Sequence, residues 1–229
     1  MHLVERARER LSTRVDDCST GAAIEVFADV RCPFAHLGLR RLFEQHQRRG
    51  SRVPLRVRAW PLELVNGAPL DANLIADEVA ALRAQVAPDL FTGFDPSRFP
   101  PTSLPAMALT AGAYAVGPEV GTRVALALRW ALFEEGRDIA AIDVLLDVAA
   151  SAGIGLPHNG EQRRVRDDLA EGRGRGVIGS PHFFVGNASF FCPTLDITHH
   201  HGQLRIAGDP AAFDALMGAA FTGQPQCCG

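Results

Sequence analysis

The stretch Ile24-Glu25-Val26-Phe27-Ala28-Asp29-Val30-Arg31-Cys32-Pro33-Phe34-Ala35-His36 decides the reading of this chain. Its first seven residues are a short, mostly apolar run of strand length. The run breaks at Cys32-Pro33. Proline suits the first position of a helix, where an amide hydrogen would be orphaned anyway. Helical patterning through Leu37, Arg40, Arg41 and Glu44 follows and stops at Gly50. A strand therefore hands over to a helix at Cys32. Free amide hydrogens and the helix dipole at such a junction favour a thiolate. A thiol lowered by about two units from roughly 8.5 would be mostly ionised near pH 7. Its intrinsic nucleophilicity would drop by about one decade, so the larger benefit is a better leaving group. Cys32 is thus the expected nucleophile, and the competing reading is a small buried hydrophobe.

Working outward, Val53-Pro54-Leu55-Arg56-Val57-Arg58-Ala59-Trp60 alternates apolar and polar residues and reads as a strand with one wetter face. Pro54 cannot donate to a ladder, which places it on a sheet edge. Strand, helix and strand at this spacing make a βαβ unit with parallel strands. Residues 71–172 hold no convincing strand. Helices are expected from Asp71 to Pro88, from Ser103 to Gly117, over 119–135, over 139–151 and over about 160–171. Strands return at Pro181-His182-Phe183-Phe184-Val185 and Ser189-Phe190-Phe191-Cys192, around the turn signal Gly186-Asn187-Ala188. Centring that turn near Asn187 pairs Phe184 with Phe190 and sets Cys192 opposite His182. A last helix is expected over roughly 209–221. The class is α/β. Residues 23–70 and 173–222 form one domain, 71–172 an inserted helical one, 1–22 an arm and 223–229 a tail.

Composition narrows the function. Of 229 residues, 47% are hydrophobic and 21% charged, ordinary values for a globular protein with a sizeable core. A net charge of −3 with no basic stripe argues against nucleic acid as a partner. No apolar run is long enough to cross a bilayer, and the charged residues 1–20 lack the apolar stretch of a secretory signal, so cytoplasmic residence is expected. The five cysteines, at 18, 32, 192, 227 and 228, are odd in number and unevenly spaced, unlike a disulfide framework.

Three pieces in this order resemble the thioredoxin fold with the helical insertion of the DsbA-like family. They are Phe27 to Ala35, then Trp60-Pro61-Leu62-Glu63-Leu64, then Gly176-Val177-Ile178-Gly179-Ser180-Pro181-His182-Phe183-Phe184-Val185. The resemblance spans about residues 23–222. It is nearest to the FrnE-like branch, beside 2-hydroxychromene-2-carboxylate isomerases and kappa-class glutathione transferases. It implies a four-stranded mixed sheet, thiol–disulfide chemistry at Cys32, and a cis bond before Pro181 lying against that cysteine. The usual family motif is Cys-Pro-X-Cys, and here Ala35 replaces the second cysteine. Cys32 therefore needs another thiol to resolve a mixed disulfide, either a low-molecular-weight thiol or Cys192, which the returning strand would bring near; the competing reading of Cys192 is plain packing in the strand core.

A cis bond would turn the Ser180 backbone outward, to pair with a substrate backbone or a thiol peptide. Pro33, Phe34, Trp60, Ser180, Pro181 and His182 are the expected substrate-contacting residues, and Trp60 fits core packing equally well. His36 and His182 are candidates to favour the thiolate. Glu134, Glu135, Arg163, Arg164 and Arg166 read as solvated helix faces. The run His199-His200-His201 lacks a metal-ligand spacing, so no metal is expected, and no tightly bound cofactor. Partners are a protein or small-molecule thiol or disulfide, with a homodimer among the open assemblies. Two other functions compete with an oxidoreductase. One is a glutathione-type isomerase or transferase, although those relatives carry Ser where this chain has Cys32. The other is a non-catalytic peptide- or ligand-binding module.

Overall fold

Apolar alternation builds the sheet. Ile24–Ala28 forms β1 and Leu55–Ala59 forms β2, running parallel from the Ile24–Leu55 pair to Ala28–Ala59. His182–Val185, β3, lies antiparallel on the other side of β1, and Ala188–Phe191, β4, completes the order β2-β1-β3-β4. The computed structural model describes residues 23–51, 53–156, 159–200 and 203–221. Helix α1, Pro33–Arg48, connects β1 to β2 and ends before Gly50 at φ +56°. The sheet is mixed and four-stranded, and the class is α/β with a helical insertion.

Between β2 and β3 come α2 (Leu62–Asn66), α3 (Ala72–Gln85), α4 (Leu104–Val116), α5 (Pro118–Phe133), α6 (Ile142–Ser151) and α7 (Asn159–Gly174). The Asp71 side chain caps α3 by accepting from the Asn73 amide at 2.8 Å. After β4 the chain adds a separate hairpin of β5 (Leu195–His200) and β6 (Gln203–Gly208), then α8 (Pro210–Phe221). The short α2 and the β5–β6 hairpin were not expected. In β5, Asp196 and Thr198 alternate with Leu195 and Ile197, which pack inward, and the hairpin leans on α3 rather than entering the main sheet. Gln85 of α3 secures it through the Ile206 amide at 3.0 Å and the Leu204 carbonyl at 3.2 Å.

The β3–β4 register differs from the expected one by a residue. The ladder pairs Val185 with Ala188, Phe183 with Phe190 and His182 with Phe191. The loop is Gly186-Asn187 alone, with Gly186 at φ +56° in its first position. Two-residue loops with such a glycine match the twist of the flanking strands, so Ala188 is drawn into the ladder. Cys192 thereby falls beyond His182, and its amide donates to the Pro181 carbonyl at 3.0 Å.

Two large bodies of core, and a smaller one around Phe27, Trp60 and Phe184, flank the sheet and fill the insertion. Ile24, Val26, Leu39, Leu42, Phe183 and Leu216 join sheet, α1 and α8, while Leu82, Phe91, Leu109, Leu128 and Phe133 hold the inserted helices together. The insertion also closes the outer edge of β2. Tyr114 Oη accepts from the Val57 amide at 2.8 Å, Asp168 Oδ2 accepts from the Ala59 amide at 3.0 Å, and Thr122 Oγ1 donates to the Leu55 carbonyl at 2.8 Å. Side chains from three helices thus do for this edge what another strand would do, which removes a pairing hazard.

His182 fastens the approach to β3. Its Nδ1 accepts from the Ile178 amide at 3.2 Å, and its Nε2 pairs with Ser189 Oγ at 2.7 Å. An Nδ1 that accepts requires the neutral ring with hydrogen on Nε2. Burial, with Arg175 nearby, pushes His182 below its ordinary 6.5. The neutral form is therefore the one that stabilises the fold. That contribution is complete above about pH 6.5 and is lost as pH falls through the lowered value.

Two outcomes follow. Tyr114→Phe leaves the Val57 amide without a partner and should cost about 1–3 kcal/mol in denaturant unfolding, with the m-value unchanged. Wild type should also lose stability relative to His182→Gln as pH falls from 7 to 5. Parallel stability–pH curves for the two proteins would contradict the assigned tautomer.

Candidate functional site

Cys32 is the N-cap of α1, with φ −80° and ψ 117°, and Pro33 opens the helix behind it. The Ser180–Pro181 peptide bond is cis. The two segments meet where Cys32 Sγ donates to the Ser180 carbonyl at 3.2 Å. Ser180 Oγ accepts from the Asp29 amide at 2.9 Å, so the proline loop is tied to the strand end as well. Cys32 is only 4% exposed.

The expected thiolate is not the resting state. Burial pushes the Cys32 thiol up to about 12, while the Ser180 side chain and the Ala35 amide pull it down and the charges of Glu78 and Cys192 add to the rise. The physical reason is one of magnitudes. A helix terminus favours an anion by ~2 kcal/mol at most, whereas burying an ion costs several kcal/mol. A thiol hydrogen given to a carbonyl also favours the neutral form. The Ser180 carbonyl faces the sulfur and is therefore not presented outward for a substrate backbone.

Cys192 lies just past β4 with φ +43°, 5% exposed, and burial pushes its thiol up to about 12. Its amide grips Pro181 while the Ser180 carbonyl holds Cys32, so the two thiols flank one dipeptide. Pro33 and Pro181 are buried, and Phe34 is half-buried between the two core clusters. On the approach to the proline loop Ile178 is 73% exposed, and Phe191, packed against Gly179 and His182, is 50% exposed.

The other expected contacts are placed elsewhere. Trp60 is 3% exposed and packs edge-on against Phe27 at 6.3 Å, in a cluster with Leu169, Val177 and Phe184. A Cβ on Gly172 would come within 2.7 Å of its ring, so glycine is needed for α7 to approach. Trp60 is core, not pocket wall. His36 points away from the thiol. Its Nε2 meets Glu134 Oε1 at 2.8 Å, and its ring sits between Phe91 at 5.2 Å and Phe133 at 5.0 Å. Burial lowers His36. For Glu134, burial opposes the charge, but hydrogen bonds from His36 and from the Phe91 and Thr92 amides prevail and hold it low. Glu134 is therefore a buried clasp on the loop after α3 and not a solvated residue. His199 and His200 lie on β5, and among the described residues no three His, Cys, Asp or Glu side chains cluster as metal ligands. His201, Cys18, Cys227 and Cys228 lie outside the described residues.

A buried polar network under the cysteine turn was missed. Asp29 is fully buried; its Oδ1 accepts from the Arg31 amide at 2.8 Å, and its Oδ2 from the Leu62 amide at 2.7 Å and from Ser103 Oγ at 3.4 Å. Burial raises Asp29 even with Arg31 beside it. The Arg31 guanidinium reaches Glu63 Oε2 at 3.2 Å and the Pro100 carbonyl at 3.3 Å. Arg129 of α5, 2% exposed, donates to the Asp29 carbonyl at 3.3 Å and to the Ala125 carbonyl at 2.9 Å. Burial lowers Arg129 to about 10, which leaves it charged at neutral pH. The one signal in sequence was Asp29 and Arg31 standing inside an otherwise apolar run.

The comparisons agree with this fold. The family model described as the DSBA-like thioredoxin domain matches residues 23–204. Among solved structures, a 2-hydroxychromene-2-carboxylate isomerase superposes with TM-score 0.57 at 18% identity, covering 74% of this chain and 88% of that one. A putative protein disulfide isomerase from Nitrosomonas europaea gives 0.57 at 14% identity, over 87% and 96%. The cytosolic disulfide reductase DsbM from Pseudomonas aeruginosa gives 0.52 at 17% identity, over 85% and 96%. A search of the curated proteins returns no match. Among the described residues no helix is long and apolar enough to cross a membrane. A strand that delivers Cys32 to a helix start, a cis-proline loop that receives its thiol and a family model covering most of the length agree: the chain belongs to the DSBA-like thioredoxin domain family.

Proposed function

We propose that the protein is a thiol–disulfide oxidoreductase or isomerase that works through the single nucleophilic thiol of Cys32. The carrying observation is the 3.2 Å contact between Cys32 Sγ and the Ser180 carbonyl at the start of α1. In this reading an approaching disulfide displaces the thiol from that carbonyl. Cys32 loses its proton to solvent or to a nearby base, and the thiolate attacks one sulfur. The Cys32–substrate bond forms, the substrate disulfide breaks, and the departing thiolate takes up a proton. A second thiol then breaks the mixed disulfide. If Cys192 attacks Cys32, the substrate leaves reduced and a Cys32–Cys192 disulfide holds the two electrons' worth of oxidation. If a low-molecular-weight thiolate attacks the substrate sulfur instead, the Cys32–substrate bond breaks, Cys32 leaves as the thiolate and takes up a proton, and the substrate leaves joined to the small thiol in a new disulfide. Ala35 stands where the family motif has its own resolving cysteine, so one of these routes is required.

The exposed Ile178 and Phe191 favour a substrate with an apolar segment beside its disulfide, protein or small molecule. The buried, neutral thiol favours a reagent that must be admitted before it is attacked, which suits exchange with a bound partner better than general scavenging.

Two measurements test the reading. The thiolate is the reactive form, so alkylation of Cys32 by iodoacetamide should rise about tenfold per pH unit from 7 to 9. A plateau below pH 8 would show a thiol ionised at rest. Reduction of a disulfide substrate by a small thiol should drop to the uncatalysed background in Cys32→Ser. Cys192→Ser should still form the mixed disulfide and should accumulate it if Cys192 resolves. Turnover surviving Cys32→Ser would refute the oxidoreductase reading in favour of ligand-dependent isomerisation.

A further inference from the structure

A cavity whose lining does not include Cys32 lies behind the outer edge of β2. It encloses about 270 Å3 between β2, α4, α5 and α7. One part of its wall is apolar, from Val30, Val57, Met107 and Ala111. The rest is cationic. Arg56, Arg58, Arg129 and Arg164 line it against Asp167 and Asp168. Asp168 is already engaged by Arg58 at 3.0 Å and by the Ala59 amide, and Arg58 is further held by Glu25 at 2.6 Å. Arg56 also acts on Asp168 through its charge, and Arg164 donates to the Ala111 carbonyl at 3.4 Å.

Arg129 is the unusual member. It is 98% buried, from an exposure of 2%. Among the described residues it forms no ion pair; its bonds go to two carbonyls, and its Nε has no partner. The Asp29 carboxylate acts on it through space but is bonded to Arg31, Leu62 and Ser103, so no counter-ion touches the guanidinium directly, and burying a charge on those terms is costly. A cavity against it supplies the place where such a counter-ion could sit. We propose that this cavity is a binding site for a small amphipathic carboxylate, whose carboxylate pairs with the Arg129 guanidinium and whose apolar body lies along Val57, Met107 and Ala111. Arg56, with its guanidinium 5.8 Å from the centre of the Tyr114 ring, and the exposed Arg164 attract the anion from solvent. Because Arg129 also holds the Asp29 carbonyl, an occupant would contact the network beneath the cysteine turn without touching Cys32.

Calorimetric titration of the full chain with benzoate tests this, with benzamide as the neutral isostere. Benzoate should bind saturably, and benzamide roughly 10- to 100-fold more weakly, the factor expected for one charge-assisted hydrogen-bonded pair. Arg129→Met should bring benzoate down to the benzamide level. Ala111→Leu, which fills the cavity and leaves the polar network alone, should abolish both and keeps the test available if Arg129→Met does not fold. No saturable benzoate heat, equal affinity for the two probes, or unchanged binding in Ala111→Leu would overturn the proposal. None of these readouts depends on thiol exchange, so the site and the oxidoreductase reading stand or fall separately.

Discussion

The buried carboxylate of Asp29 is the point on which the site depends. Its side chain binds the start of the cysteine turn through the Arg31 amide, the segment after β2 through the Leu62 amide, and the insertion through Ser103. Its own amide and carbonyl reach the proline loop at Ser180 and α5 at Arg129. Five segments far apart in sequence therefore converge on one residue. A carboxylate in that position is costly to bury, and it is tolerated because nearly every lone pair is met by a donor. Such a network rewards one arrangement of its members and penalises partial ones. The consequence for function is that the cysteine turn and the proline loop are held in one relative position before any substrate arrives.

That fixed position also explains the state of the thiol. Cys32 sits at a helix start, which favours an anion, yet it is buried enough to stay protonated. Burial is the largest contribution to that balance, and the charges of Glu78 and Cys192 add to it. A protected thiol of this kind couples reactivity to access: whatever uncovers the sulfur also lowers the cost of ionising it. Cys192 is subject to the same constraint on the other side of Pro181.

The insertion contributes more than a cover. Tyr114, Thr122 and Asp168 finish the hydrogen bonding of the β2 edge, Arg129 reaches under the cysteine turn, and Glu134 clasps His36 and the loop after α3. The cavity with its cationic wall exists because these helices stand off the sheet edge and bridge it with polar side chains where they could have packed flush.

Local sequence was enough to determine the elements. Periodicity and proline and glycine punctuation give β1, α1, β2, the run of helices and the final helix, because each is set by the burial of its own face and by its own caps. The Cys32-Pro33 junction and the Gly186-Asn187 turn were legible for the same reason. The β5–β6 hairpin was not read, although Leu195-Asp196-Ile197-Thr198 and Gln203-Leu204-Arg205-Ile206 alternate apolar and polar residues, because each alternating run is only four residues long. The ladder register, the placement of Trp60 in the core, the turning of His36 toward Glu134 and the protonated thiol were all decided by tertiary structure. A residue type and its spacing fix what a side chain can do. Which neighbours desolvate it or bond to it is set only when distant segments close around it.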